Sequence, residues 1–282
     1  MNMTNQKFQH IGLIGSTRKH ISETVESIKD YLLTQNVTVF IEENTAKTIS
    51  ENHLPTFSEK NIPADIDLMI VIGGDGSLLH AAHCALPYNL PVLGINRGHL
   101  GFLTDIHPDE LSKIGDVLSG HYITETRFLL KTQLGIALND IVLLPGNTAQ
   151  LIEFDIMIND QFVCQQRADG LIVATPTGST AYALSGGGPI LHPQLNAVVL
   201  VPMFPHTLSN RPIVVDGDDK IELVIRAENE SSPCISCDGQ ERITIEPGTR
   251  LTITKNEKKL QLIHPKNYQY FATLREKLGW QK

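Results

Sequence analysis

Residues 68–79 restrict the possible folds of this chain more than any other stretch. Leu68 to Ile72 is an unbroken apolar run, which is typical of a central parallel strand buried on both faces. Gly73-Gly74-Asp75-Gly76 follows, and apolar residues then recur at helical spacing after Ser77. We therefore predict a strand, a glycine-rich turn and a helix that is capped by Ser77, with its N-terminal amides facing the turn.

Asp75 conflicts with the rest of this turn. Gly73, Gly74 and Gly76 would let a phosphate approach bare backbone amides. A carboxylate repels phosphate unless it holds a metal or takes a proton from a hydroxyl. The alternative is that Asp75 only closes an Asx-turn before the helix. The turn alone leaves both interpretations open.

The spacing of apolar residues divides the chain into two predicted domains. In residues 1–121 short apolar runs alternate with segments of helical period, which predicts an α/β domain with a parallel, Rossmann-like sheet. From 122 to 263 the period is largely two and Asn159-Asp160 is a plausible hairpin turn, so we expect a mostly antiparallel β domain. Residues 264–282 return to helical spacing through Phe271 and Leu274, and should pack on the first domain. The polar segment 42–63 is expected to have little regular structure.

Composition excludes several classes of partner. The 282 residues carry a formal net charge of -8, which argues against nucleic acid and anionic lipid as partners. No stretch is long and apolar enough to span a membrane, and the polar start does not resemble a signal peptide. The 4 cysteines fit a reducing compartment. These features predict a cytoplasmic protein that does not bind a membrane.

Two groups of residues have metal-like spacing. Cys234 and Cys237 lack a second pair, so strand residues are the preferred interpretation. His80, His83 and Cys84 share a predicted helix, but the sequence implies no carboxylate partner for them. We therefore predict no fixed metal site on the protein.

A second cluster of small and hydroxylated residues follows the predicted strand Leu171 to Ala174. It comprises residues 175–182 and a glycine run at 186–188. Ser179 or Thr180 could cap a short helix within it. A tight connector would not require so many hydroxyls, so ligand binding is the preferred interpretation.

Taken together, these motifs resemble those of the NAD kinase (ATP-NAD kinase) family. The resemblance runs from about Ile11 to the C-terminal helix. The glycine-aspartate turn also occurs in lipid kinases and phosphofructokinases, whereas the later motifs are more specific. In chain order the matching motifs are Gly73-Gly74-Asp75-Gly76, Asn96-Arg97-Gly98-His99-Leu100-Gly101-Phe102-Leu103, Asn139-Asp140, Asp169-Gly170, Thr175-Pro176-Thr177-Gly178-Ser179-Thr180-Ala181-Tyr182, Pro205-His206-Thr207-Leu208-Ser209 and Asp238-Gly239.

This resemblance implies phosphorylation of the 2′-hydroxyl of the adenosine ribose of NAD by ATP, giving NADP. It implies that Asp75 is the general base, that Gly73, Gly74 and Gly76 bind phosphate, and that Mg²⁺ or another divalent metal is held through the ATP phosphates. It also implies a homodimer or homotetramer, with some substrate contacts crossing a subunit interface. The implied NAD-binding residues are Asp75, Gly76, Asn139, Asp140, Gln150, Arg167, Asp169, Thr180, Ala181, Tyr182, Ser185 and Gln240.

The chain departs from the family pattern at three places. Asp140 stands where Glu is more usual, and Gln150 stands where basic residues are more usual. The first turn, Gly15-Ser16-Thr17-Arg18, is looser than in the family. None of these departures involves Asp75.

Two other functions compete with this interpretation. A lipid or sphingoid kinase would need an exposed apolar or basic surface for the membrane, which the sequence does not clearly offer. A nucleotide sensor that kept the fold but lost phosphoryl transfer would have no need of Asp75.

Overall fold

The structure is a computed structural model that describes residues 7–15, 21–50, 52–97, 101–146 and 150–280. The chain divides into two compact units, Met1–Thr126 with Leu260–Lys282, and Arg127–Lys259. The functional domains that we expect from the sequence, 1–121 with 264–282 and 122–263, stay a prediction. Among the described residues no helix combines the length and apolar character needed to cross a membrane.

Strands and helices follow each other in the first part of the chain, and strands dominate the rest. In chain order the elements are β1 (His10–Gly15), α1 (Ser22–Thr34), β2 (Thr38–Glu42), α2 (Glu43–Ala46), β3 (Thr56–Phe57), β4 (Leu68–Ile72), α3 (Asp75–Ala85), β5 (Val92–Ile95), α4 (Leu111–Leu118), β6 (Tyr122–Thr132), β7 (Gly135–Ala137), β8 (Asp140–Leu144), β9 (Ile152–Ile158), β10 (Gln161–Ala168), β11 (Gly170–Ala174), α5 (Tyr182–Ser185), β12 (Ala197–Met203), β13 (Ile213–Asp216), β14 (Ile221–Ile225), β15 (Cys234–Cys237), β16 (Arg242–Thr244), β17 (Arg250–Pro265) and α6 (Tyr270–Leu278).

The first unit is an α/β fold on a parallel sheet, as the alternating pattern predicts. Its strand order is β3-β2-β1-β4-β5, with the end of β17 beside β5, and each of these neighbouring pairs is parallel. The order reverses between β1 and β4. Val25, Ile28 and Leu32 of α1 are fully buried in the core of this unit. Ligands of such sheets bind at the carboxyl ends of the strands where the order reverses.

The C-terminal helix α6 belongs to the first unit, as predicted. Its buried residues are Thr273 and Leu274, whereas Phe271 is 59% exposed. The helix prediction is confirmed, but the predicted apolar face is wrong at Phe271. The face that is buried includes a threonine, and apolar spacing does not mark a threonine.

The polar segment 42–63 has more structure than its composition predicts. The carboxylate of Glu42 is buried and accepts hydrogen bonds from Asn44 N and Thr45 N, both at 2.8 Å, so it caps α2. Strand β3 then pairs with β2, and Phe57 is buried. The prediction of little regular structure holds for most of this segment but is wrong next to Glu42, because a capping carboxylate is polar and nevertheless buried.

The second unit is built from antiparallel β-strands. One sheet contains β10-β9-β14 and the start of β17, and the other has the order β13-β12-β11-β8-β15-β16. Apolar residues of both sheets, such as Phe154 and Leu171, form one core between them. Asn159 and Asp160 join β9 to β10 with positive φ values of 49° and 64°, which confirms the predicted hairpin.

Candidate active site

The turn between β4 and α3 brings helix amides to the end of a buried strand. Gly74 is extended (φ -94°, ψ -174°), and the helix begins directly after it at Asp75. Ser77 lies inside the first turn, where its amide donates to Gly74 O at 2.9 Å. The prediction that Ser77 caps the helix is therefore wrong: the extended glycine Gly74 stands at the N-cap, three residues earlier, and no side chain caps the helix.

A cavity of about 790 Å³ opens at this turn. It lies where the strand order reverses, because Gly15 at the end of β1 and Gly73 after β4 both line it. This is the position at which an open parallel sheet binds its ligands. Its polar lining includes Asn44, Glu59, Ser77, His80, Asn96 and Arg97, beside Gly73, Gly74 and Gly76.

Neither Gly74 nor Gly76 is required by the fold. A Cβ built at either position would have no neighbour within 4 Å, and both backbones have φ values that any residue adopts. Positive φ is therefore not the reason for these two glycines. Their missing side chains instead leave the amides at the start of α3 open towards the cavity, which suits a phosphate.

The carboxylate of Asp75 is fixed by a loop distant in sequence. It accepts hydrogen bonds from Phe102 N at 2.9 Å and Leu103 N at 3.0 Å, and Thr104 Oγ1 lies 3.4 Å away. The bonds do not match an Asx-turn, in which the side chain would bond to its own turn. Asp75 itself does not line the cavity, although the glycines on both sides of it do. Residues Gly98-His99-Leu100 of this loop motif, and Ser16-Thr17-Arg18 of the first turn, lie outside the described residues.

Gly101 makes room for this carboxylate. A Cβ on Gly101 would overlap Asp75 Oδ1 and Thr104 Oγ1 and would lie 2.9 Å from Asp75 Cγ. The motif around Gly101 was recognised in the sequence, but its contact with Asp75 could not be deduced from spacing. Asp75 is thus a half-buried acid held at the start of a helix by two backbone donors.

A second site lies at the start of β8, where Asn139 and Asp140 meet the turn after β15. The carboxylate of Asp238 accepts the amides of Leu138, Asn139 and Asp140 at 2.7, 2.7 and 3.1 Å. Asp238 and Gly239 both have positive φ, which places the carboxylate towards β8. Sequence reasoning matched the Asp238-Gly239 motif without assigning Asp238 a role.

These residues line a cavity of about 350 Å³. Asn139 and Asp140 meet Ala181 and Tyr182 there, so the structure brings four of the predicted NAD-binding residues together. Arg242 also lines it and was not predicted, because a single arginine at the start of a strand has no distinguishing pattern.

Asp140 is the most perturbed acid of this site. Burial, together with the neighbouring Asp238, raises the pKa of its carboxyl group to about 7. Near neutral pH its carboxyl group is therefore partly protonated, and it can donate a hydrogen bond when protonated and accept one when ionised.

The second glycine and hydroxyl cluster forms a different local structure from the predicted one. Ser179 Oγ donates to Pro176 O and accepts the amide of Leu191 at 2.9 Å, and Thr180 Oγ1 donates to Thr177 O. Neither residue caps α5, so that prediction is wrong: both hydroxyls donate to carbonyls three residues earlier in the chain. Ser185 lines a neighbouring cavity of about 470 Å³ together with Tyr182.

Thr180 and four other predicted residues do not line these cavities of the second unit. Gln150 Nε2 donates to Glu230 Oε2 at 3.1 Å, and Arg167 lies 3.5 Å from Glu153 across β9 and β10. The backbone of Asp169 bonds to Met203 O, and that of Gln240 bonds to Cys237 O. Their roles in binding NAD stay predictions.

The geometry defines a class of protein. A phosphate-receptive helix start at the switch point of a parallel sheet, with a carboxylate held beside it, belongs to a nucleotide-dependent phosphotransferase.

Comparisons with known proteins identify the family. Residues 11–122 match the model of the ATP-NAD kinase N-terminal domain, and residues 138–265 match that of the ATP-NAD kinase C-terminal domain. The chain therefore belongs to the ATP-NAD kinase family.

Relatives and solved structures agree. An NAD kinase of Coxiella burnetii is 57% identical over 290 residues, covering 99% of this chain and 97% of the relative. One of Pseudomonas putida is 50% identical over 286 residues, covering 98% and 97%. Yeast NADH kinase complexed with NADH has a TM-score of 0.85 at 25% identity and covers 98% of this chain and 89% of its own. An Archaeoglobus fulgidus NAD kinase in complex with ATP has a TM-score of 0.74 at 25% identity and covers 95% and 99%.

Proposed function

We propose that this enzyme transfers the γ-phosphoryl group of ATP to the 2′-hydroxyl of the adenosine ribose of NAD, giving NADP, with Asp75 as the general base. The observation that carries the proposal is the position of Asp75 between glycines that line the phosphate-receptive cavity, with its carboxylate fixed by Phe102 N and Leu103 N.

The fixed carboxylate suits the chemistry of phosphoryl transfer. The transition state is loose, so the acceptor hydroxyl mainly needs to be oriented, and it gives up its proton late. A carboxylate has about four acceptor positions, and the two amides occupy two of them. The remaining positions can accept the proton of the ribose hydroxyl. The open amides beside Gly74 and Gly76 would stabilise phosphate charge, since they are preorganised donors at a helix start.

The second unit would bind NAD. Asn139 offers both donors and acceptors, and Asp140 is suited to ribose hydroxyls. Tyr182 is 44% exposed in the same cavity, where its ring can stack on a base. We assign the adenine and ribose contacts to Thr180, Ala181, Tyr182 and Ser185. We also assign contacts with NAD to four further residues, the first three partly across a subunit interface: Arg167, Asp169, Gln240 and Gln150.

Mg²⁺ or another divalent metal would accompany ATP. Ser77 and Asn96, whose side chains carry oxygen atoms, line the cavity beside the glycines, and oxygen donors are what Mg²⁺ prefers. Bound to the ATP phosphates, the ion would neutralise part of their charge.

We also propose a cytoplasmic homodimer or homotetramer. All four cysteines are free, which fits a reducing compartment. Large apolar side chains are exposed on and beside β10, at Phe162, Phe204 and Leu208. Such side chains favour association with a second copy of the chain.

The test is NADP formation from NAD, ATP and Mg²⁺ by the purified chain, detected with an NADP-specific dehydrogenase. Asp75→Asn keeps the size of the side chain and removes the base, so it should bind NAD normally and turn over at least about a hundredfold more slowly. Asp65→Asn, which changes an exposed acid of the same unit, is the matched control and should retain full activity.

The sensor interpretation, the role of Asp75 and the acceptor hydroxyl are tested by different outcomes. If the native chain and Asp75→Asn both bind the dinucleotide and neither makes NADP, the chain is a sensor. If Asp75→Asn turns over at the native rate, Asp75 is not the base. Phosphorus NMR of the product distinguishes the 2′-phosphate from a 3′-phosphate and so tests the acceptor hydroxyl.

A further inference from the structure

Three side chains of metal-binding types converge at one wall of the first unit. Glu59, His80 and Cys84 each offer a ligand atom, and these atoms all lie within 4.8 Å of one another. His80 and Cys84 are four residues apart on α3, so they share one face of that helix. Glu59 comes from the segment between β3 and β4, which explains why the sequence alone implied no carboxylate partner.

The turn that carries Glu59 is fixed to the segment after α3. Tyr88 Oη donates to Lys60 O at 3.2 Å, and Ile62 N lies 3.4 Å from the same hydroxyl. Ser58 and Asn61 also form a β-bridge that closes the turn. The three candidate ligands are thus presented by two segments that are tied together, which reduces the cost of bringing them around an ion.

The charges of this cluster favour a cation. His80 Nε2 lies 2.7 Å from Glu59 Oε1, so the two share a proton that a metal ion could replace. The Cys84 thiol lies beside this pair, and a divalent cation bound there would displace the thiol proton, since metals bind the thiolate.

We propose that Glu59, His80 and Cys84 form a binding site for a thiophilic divalent cation such as Zn²⁺. Carboxylate oxygen, imidazole nitrogen and thiolate sulfur are the zinc ligands of proteins, and a water molecule would complete a tetrahedron. The cysteine distinguishes this site from one for Mg²⁺, which prefers oxygen. Small side-chain rotations would bring the three ligand atoms to the separations of about 3.3–3.8 Å that a tetrahedral ion requires.

The site adjoins the cavity at the glycine turn without depending on its function. Glu59 and His80 line that cavity, so a bound cation would add positive charge to its wall. The proposal concerns binding of the ion and holds whether or not the chain phosphorylates NAD.

The first experiment measures binding of Zn²⁺ to the full chain, after removal of metals with a chelator, by competition with a chromogenic chelator. One equivalent should bind, and Cys84→Ser, His80→Gln and Glu59→Gln should each weaken binding at least tenfold. His83→Gln, on the same helix but outside the cluster, and Cys234→Ser, in the other zinc-like pair, should bind like the native chain.

Cobalt provides a readout that reports the ligand itself. Co²⁺ bound to the native chain should show thiolate-to-metal charge-transfer absorption, which Cys84→Ser and Cys84→Ala lose and Cys234→Ser keeps. Circular dichroism tests whether each variant is folded. Two substitutions are made at Cys84 so that the test still stands if one of the two variants fails to fold. Native-like affinity in all three cluster variants, absence of the band in the native chain, or displacement by equimolar Mg²⁺ would each overturn the proposal.

Discussion

A Cβ on Gly101 would overlap the Oδ1 atom of Asp75. The glycine is therefore what allows the 101–104 loop to hold the carboxylate through Phe102 N and Leu103 N. Gly101→Ala should push the carboxylate away from these donors and lower kcat roughly 10- to 100-fold, because displacement of a catalytic group by about 1 Å has effects of that size. The KM for ATP should change little. Steady-state kinetics measure both constants.

Gly135→Ala is the control for this prediction. Its Cβ would meet Cys237 Sγ at 3.3 Å, a tight contact in the second unit that does not involve Asp75. It should leave kcat within about twofold of the native value. A native kcat in Gly101→Ala would contradict the assigned role of Gly101.

Gly76 should be a residue whose replacement improves folding and impairs function. It lies in the first turn of α3, and a Cβ there has open space, so Gly76→Ala should raise the free energy of unfolding by about 0.5–1 kcal/mol. The same methyl group would cover amides that we assign to phosphate. Losing one or two charged hydrogen bonds should raise the KM for ATP by about 10- to 100-fold. Urea denaturation and kinetics test the two effects, and a stabilised variant with a native KM would refute the phosphate assignment.

Local patterns predicted the elements that depend on local physics. The apolar run Leu68–Ile72 became a strand buried on both faces, and Asn159-Asp160 became a hairpin turn, because these outcomes follow from neighbouring residues. The site depends on contacts that spacing does not encode. Asp75 is held by a loop 27 residues away.

The errors have a common physical origin. Ser77 was predicted to cap α3, but the extended backbone of Gly74 starts the helix without a side-chain cap. Glu42 has a polar side chain and is nevertheless buried, because its carboxylate satisfies two amides of the next helix. In both cases the way a helix begins in the folded backbone decided the outcome, and residue type alone does not reveal where a helix begins.

Asp140 should make stability depend on pH in an unusual direction. Burial and Asp238 raise the pKa of its carboxyl group from 3.8 to about 7 in the folded chain, so folding favours the protonated form. The stability that this bound proton contributes is fully present below 3.8, the pKa of the carboxyl group in the unfolded chain. It is lost as the pH rises to about 7. Asp140→Asn, which cannot ionise, should therefore be stabilised relative to the native chain by an amount that grows from pH 4 to pH 7 and is constant above. Urea denaturation across this range measures it.

The same substitution tests the binding role of Asp140. If the ionised carboxylate accepts ribose hydroxyls, the native KM for NAD should fall as the pH rises through about 7, and Asp140→Asn should lack this step. Asp65→Asn controls for a general effect of charge. If Asp140→Asn and Asp65→Asn showed the same pH dependence of the stability gain, or of the KM for NAD, that result would contradict the raised pKa of Asp140.

The exposed apolar side chains near β10 should hold copies of the chain together. Phe204 and Leu208 are 79% and 93% exposed, and the loop that carries them is tied to β10 by His206 N and Arg167 O at 2.9 Å. Leu208→Asp should shift the chain towards monomers, because a charge would be buried in the interface. Size-exclusion chromatography with light scattering measures the mass. Leu33→Asp, at an exposed leucine of α1, should not change it, and an unchanged mass in Leu208→Asp would exclude this surface.

His264 should stabilise the first unit more strongly while its ring carries a proton than when the ring is neutral. The ring is 1% exposed, stacks on Tyr268, and places Nδ1 2.9 Å from Asp105 Oδ2 and Nε2 3.5 Å from Glu125 Oε2. Burial lowers the pKa of the imidazole, but the interactions with Asp105 and Glu125 outweigh it, so the pKa lies above its ordinary value of 6.5. The charged pair therefore contributes fully below 6.5, and its contribution is lost as the pH rises through the folded pKa.

The substitution His264→Asn separates this ionic contribution from packing. The variant should lose stability at every pH, because the ring leaves a cavity, but the loss should be larger at pH 6 than at pH 9. The exposed His53→Asn supplies the control and should show no such difference. Urea denaturation at both pH values gives the free energies of unfolding. A loss of the same size at both would mean that His264 acts through packing alone, since only the protonated ring interacts favourably with two carboxylates.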